Sequence, residues 1–169
     1  MLKDFDPYDY AKAVRVFQKS DELTIQFQLF VESNPEVLAV EVVSANGARC
    51  VQMELDEKGN IFAQDGRDRL LILNSLKRDK WLSVEIHINS KQNQYQILID
   101  KKVIGNKLRF AIDDQPERII FRTGRYRLTD DVQKFVSGDK YVPGWDKSKP
   151  DEVAPETVYY IKDFVVLSD

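Results

Sequence analysis

Apolar and polar residues alternate along most of this chain. The longest clean alternation is Trp81–Asp100, WLSVEIHINSKQNQYQILID. Leu82, Val84, Ile86 and Ile88 fall at every second position, with Ser83, Glu85, His87 and Asn89 between them. An extended strand sends successive side chains to opposite faces, so this run predicts one apolar and one polar face. Ser90–Gln94 predicts a turn, and Tyr95, Ile97 and Ile99 line one side of a return strand that stops at Asp100. A helix needs apolar residues about every 3.6 positions, and this stretch offers none of that spacing.

The same period recurs on both sides of the hairpin. Residues 1–9 read as an irregular lead-in and Tyr10–Phe17 as a first strand. In Asp21–Val31, Leu23, Ile25, Phe27, Leu29 and Val31 alternate with Thr24, Gln26, Gln28 and Phe30. Val37–Val43, VLAVEVV, predicts a strand buried on both faces. Asn46-Gly47 predicts a tight turn that needs positive φ, with Arg49–Leu55 as the partner strand. Ile61–Gln64 and Arg69–Leu73 follow, separated by Asp65-Gly66. Val103-Ile104 and Leu108–Ile112 read as two short strands, Arg118–Thr123 as a clear one and Val158–Leu167 as the last. Residues 129–157, rich in proline and charge, predict a long loop with a brief helical turn at Asp130–Phe135. About ten to twelve short strands without a long helix predict an all-β fold of two packed antiparallel sheets.

Composition narrows the functional classes. The 169 residues suit a single domain spanning 1–169, which buries roughly 70% of its unfolded surface. The 25 basic residues nearly balance the 28 acidic ones, and a net charge of −3 disfavours nucleic acid as a partner. No apolar run approaches the ~20 residues of a membrane span. The opening MLKDFDPYDY does not follow a signal-peptide pattern. Cys50 is the only cysteine and His87 the only histidine, so a Cys/His zinc site is excluded by count. A lone strand cysteine reads as a small core residue.

The hairpin WLSVEIHI…YQILID and the closing strand YYIKDFVVL resemble the laminin G-like and concanavalin A-like jelly rolls. The resemblance spans roughly residues 5–167. The segment PERIIFRTGRYR is similar to one in jelly-roll modules attached to bacterial polysaccharide-degrading enzymes. This implies a two-sheet jelly-roll sandwich serving as a carbohydrate-associated accessory domain, extracytoplasmic in its parent protein. Phe121-Arg122-Thr123-Gly124-Arg125-Tyr126 also resembles the tyrosine strand of alginate-lyase-type jelly rolls, and Glu85-Ile86-His87 their Gln-Ile-His triplet. The Arg-x-Glu-x-Arg strand of those enzymes is absent, and the nearest run, Arg49–Glu54, has different spacing.

These residues define the candidate chemistry. β-Elimination from a uronate needs a base, an acid and a cation to neutralise the carboxylate. His87, Tyr126 and Arg122 (or Arg49) could fill those roles. As a binding surface, Glu85, His87, Arg122, Arg125 and Tyr126 would contact sugar, since guanidinium groups bind carboxylates in a bidentate manner. Ion pairing of the arginines with Glu117, Asp130 and Asp131 is the structural alternative. Trp145, Tyr141 and Phe135 in the long loop could stack on sugar or dock on a neighbouring surface. Asp4, Asp6 and Asp9 with Asp163 form a candidate calcium set, because the termini should meet. Glu85 with Glu54 or Glu41 is a candidate glycosidase pair.

Three functions follow, in descending order: a non-catalytic carbohydrate-binding module beside a catalytic domain, a polysaccharide lyase acting on uronates, and a purely structural domain packing through residues 129–157. The first expects no cofactor, with calcium the possible exception.

Overall fold

The computed structural model describes residues 2–4, 11–32, 37–77, 79–124 and 157–168. Twelve strands form in the described residues: β1 (Leu2–Asp4), β2 (Lys12–Val16), β3 (Glu22–Val31), β4 (Leu38–Ser44), β5 (Arg49–Leu55), β6 (Ile61–Asp65), β7 (Asp68–Leu73), β8 (Trp81–Asn89), β9 (Gln94–Ile99), β10 (Lys102–Arg109), β11 (Pro116–Thr123) and β12 (Thr157–Ser168). They build two six-stranded sheets, β1-β12-β3-β8-β9-β10 (sheet A) and β2-β11-β4-β5-β6-β7 (sheet B), in which neighbouring strands pair antiparallel. The fold is the expected all-β jelly-roll sandwich.

The core lies where the apolar faces meet. Ile25, Phe27, Val84, Ile86 and Ile97 of sheet A face Val40, Val42, Val51, Met53 and Ile119 of sheet B, all buried. Phe27 of β3 meets Phe121 of β11 edge-to-face at 5.0 Å between ring centroids, joining the two layers. Burying a side chain of this kind stabilises the fold by about 1.5–3 kcal/mol. All seven residues of β4 are buried, so its outward positions Ala39, Glu41 and Val43 are enclosed as well.

Several elements differ from the sequence reading. The lead-in contains a strand, β1, which pairs with β12 through Leu2↔Tyr159 and Asp4↔Thr157. Three residues are too few to show an alternating pattern. The two short strands anticipated at 103–104 and 108–112 are one strand, β10, which ends at Arg109. Two register shifts against β9, between Val103 and Gly105 and between Gly105 and Leu108, break its alternation. Lys107, at φ 51°, carries the second irregularity. A Cβ at Gly105 would stand 2.7 Å from Leu108 Cδ1, so any larger residue there would push that leucine side chain aside. The closing strand lies between β1 and β3, whereas the strand within 10–17 belongs to the other sheet, beside β11. The long loop 129–157 and its helical turn lie outside the described residues, apart from Thr157.

Candidate functional site

The polar face of the central hairpin is the outer face of sheet A. The β3–β8 register sets Thr24 opposite His87, Gln26 opposite Glu85 and Gln28 opposite Ser83. β9 adds Gln96 beside His87 and Gln94 beside Asn89. At the end of the hairpin these side chains line an open trough of about 330 Å³, with Glu22, Thr24, His87, Asn89, Gln92, Gln94, Gln96, Asn106 and Lys107 around it. The trough forms because β10 bulges beside β9, bringing Asn106 over the sheet to accept a hydrogen bond from Gln96 at 2.9 Å.

The trough is rich in amides. An amide donates through its NH2 and accepts through its carbonyl, and a sugar hydroxyl does both. His87 is half exposed, and its Nε2 lies 3.3 Å from the Glu85 carboxylate. Gln26 donates to the same carboxylate at 3.4 Å. Asn89 donates to Glu22 at 3.2 Å, fixing the rim. These bonds hold the polar groups in one orientation while leaving edges open to a ligand, which lowers the ordering cost of binding.

Arg122 is elsewhere. It lies on β11 with its side chain on the outer face of sheet B, the far side of the sandwich from His87, and it is 1% exposed. It donates to Gly124 O and, at 3.3 Å, to the Glu41 carboxylate, which is also 1% exposed. Arg49 reaches the same carboxylate at 3.6 Å. Glu54 pairs with Arg69 at 2.6 Å on the same face, and the Arg69 guanidinium covers the Phe62 ring. Sheet B thus carries an enclosed polar layer in which the neutral amides Gln52 and Gln64 lie beside the charged Glu41, Glu54 and Arg122.

This geometry corrects four expectations. His87 and Arg122 cannot act on one sugar, because the whole core separates them. The ligand set of Glu85, His87 and Arg122 is divided in the same way: the first two share the outer face of sheet A, and the third is enclosed on sheet B. Glu85 cannot pair with Glu41 or Glu54 in a glycosidase for that reason too. Asp4 pairs with Thr157, and Asp163 lies six positions further along β12, roughly 20 Å at strand spacing, so the backbone register sets Asp4 and Asp163 too far apart to share an ion. Asp163 sits at φ 52° in a bulge of β12. Among the described residues no group of three or more histidine, cysteine, aspartate or glutamate side chains could hold a metal. Asp6, Asp9, Arg125, Tyr126, Phe135, Tyr141 and Trp145 lie outside the described residues. Cys50 is a buried core residue, and burial together with nearby Asp114 pushes its thiol pKa up to about 12.

A residue match to a family model covers positions 1–136 under the description "Sialidase-like, CBM domain". The chain belongs to this family of sialidase-like carbohydrate-binding-module domains. No curated protein matches its sequence. A solved sialidase is similar with a TM-score of 0.78 and 24% identity over 98% of this chain, which spans 15% of the length of that sialidase. Galectin LEC-6 of Caenorhabditis elegans is similar at 0.51 and 11% identity, covering 73% of this chain and 87% of the galectin. Alginate lyase AlgAT5 of polysaccharide lyase family 7 matches at 0.51 and 11% identity, covering 93% of this chain and 62% of the lyase. At these identities the likenesses establish the sandwich fold. Among the described residues no helix is long and apolar enough to cross a membrane.

Sequence reasoning missed the aromatic group at the opposite end of the same face. Trp81 is 40% exposed and packs on Phe30 at 5.5 Å between centroids, and Phe30 meets Tyr160 at 5.9 Å. The signal was present, since Trp81 and Phe30 occupy polar-face positions of their strands. The sequence reading looked for aromatic rings in the long loop instead.

Proposed function

We propose that this chain is a non-catalytic carbohydrate-binding module of a longer, extracytoplasmic glycan-processing protein, and that it holds sugar in the trough on sheet A. The observation that carries the reading is the trough itself, an open concavity in which amides, Thr24 and His87 converge from three neighbouring strands and β10. The family supports the ligand class. The small share of the sialidase that this fold occupies supports a place beside a catalytic domain.

The name of that relative makes sialylated glycans the first ligands to test, followed by neutral glycans and uronate polymers. Glycan-array screening followed by isothermal titration tests the proposal. Binding by the folded domain that is weakened at least tenfold by His87→Ala supports it. A folded sample that binds none of the three classes overturns it.

A further inference from the structure

We propose that the outer face of sheet A carries a second sugar subsite at Trp81, so that the face accepts an extended glycan rather than a single sugar. The inference rests on the carbohydrate reading above. Trp81, Ser83, Glu85 and His87 are alternate residues of β8 and share one face. Trp81 and His87 therefore stand six residues apart, roughly 20 Å along the strand. Trp81 belongs to an aromatic row that crosses β12, β3 and β8 as Tyr160, Phe30 and Trp81 in direct register.

The row is braced. The ring contacts at 5.5 and 5.9 Å fix the indole from one side. The Tyr160 hydroxyl donates to the Glu32 carboxylate, which raises the tyrosine pKa and anchors the far end. Lys162 places its ammonium 4.1 Å from the centre of the indole ring, within cation–π range. The result is a half-exposed aromatic surface with the Lys162 ammonium, a hydrogen-bond donor, seated over the indole and free to swing toward a ligand hydroxyl on its flexible stem. Those are the two things a pyranose presents a need for: an apolar partner for its C–H face and a donor for its hydroxyl oxygens.

Between platform and trough the face stays polar, through Gln28, Ser83, Gln26 and Glu85. A linear glycan lying along β8 would meet the indole at one end and the amides at the other. Engaging both ends of one ligand makes the second contact intramolecular, which raises affinity without any new contact at the trough.

The test is isothermal titration of the whole chain with the trisaccharide sialyllactose, the pentasaccharide sialyllacto-N-tetraose and the asialo form of each. Trp81→Ala should weaken the better-bound of the two longer sugars about tenfold while changing its shorter counterpart less than twofold. Trp81→Phe should recover most of the loss, and His87→Ala should weaken both lengths. Circular dichroism checks that each variant is folded. Binding that depends on His87 but is unchanged by Trp81→Ala at both lengths overturns the subsite alone, and is the outcome if the platform serves a protein surface. A Trp81→Ala loss equal at both lengths also overturns it. Failure of all four sugars to bind the folded wild type removes the subsite together with the carbohydrate reading for these ligands.

Discussion

Glu41 offers the sharpest test of how sheet B is held together. Its carboxylate and the Arg122 guanidinium are each 1% exposed and 3.3 Å apart, with Arg49 sharing the same oxygen at 3.6 Å. Glu41→Gln keeps the shape and removes the charge. Two guanidinium groups then face a neutral amide inside an enclosed layer. Removing one partner of a buried pair costs about 3–5 kcal/mol, because the remaining charge stays desolvated. Arg122 keeps its bond to Gly124 O, which places the expected loss near the lower end, at about 3 kcal/mol. For a chain of this length that lowers Tm by roughly 6–12 °C. Urea unfolding measures the loss as a lower midpoint at unchanged slope. The paired substitution Glu41→Met with Arg122→Met removes both charges and should cost less than Glu41→Gln alone. A Glu41→Gln domain within about 0.5 kcal/mol of wild type, or a double variant as costly as the two single changes summed, would refute this account of the layer.

Other predictions concern single groups. With its pKa pushed up to about 12 and its side chain buried, Cys50 should resist a thiol reagent at pH 8 in the native domain and react fully in denaturant, and rapid native labelling would contradict that burial. The Arg109 guanidinium, bonded to Asp65 at 2.8 Å, holds that carboxyl below its ordinary value. Its contribution to stability is therefore present above the ordinary aspartate pKa of about 3.9 and is lost as pH falls through the depressed folded value. Asp65→Asn should flatten the acid side of the stability profile, and a steeper acid loss in the variant would show the sign to be wrong. Gly47 turns the β4–β5 hairpin at φ 77° with open space around it, so Gly47→Ala should cost roughly 1–2 kcal/mol from backbone strain alone, read from the urea midpoint.

The sandwich was legible because most strands keep one face in the core. The alternation of β3 and β8 located both faces correctly, and the run of β4, apolar but for Glu41 and Ser44, marked a strand enclosed on both sides. The same alternation put Glu85 and His87 on one polar face. Pairing between distant strands was not legible. Alternation places Ile120 and Arg122 together on one face of β11 but does not say which sheet that strand joins, and that assignment decides whether Arg122 meets His87. Glu41 hid within VLAVEVV, where a buried carboxylate is legible only once its guanidinium partners are known. Nor does alternation survive two bulges in eight residues, so β10, which shapes the trough through Asn106, was read as fragments. Asp4 and Asp163 looked like neighbours because the chain termini were expected to meet, yet register rather than adjacency sets their separation.

The central claim is that sugar binds on the outer face of sheet A. Backbone and side-chain amide NMR shifts, followed during titration with sialyllactose and then with a neutral oligosaccharide, test it directly. The account predicts that the perturbed residues cluster around Thr24, His87, Gln96 and Asn106 and fade toward sheet B. Perturbations confined to the face of sheet B that carries Glu41 and Gln52, with those four residues silent, would contradict it.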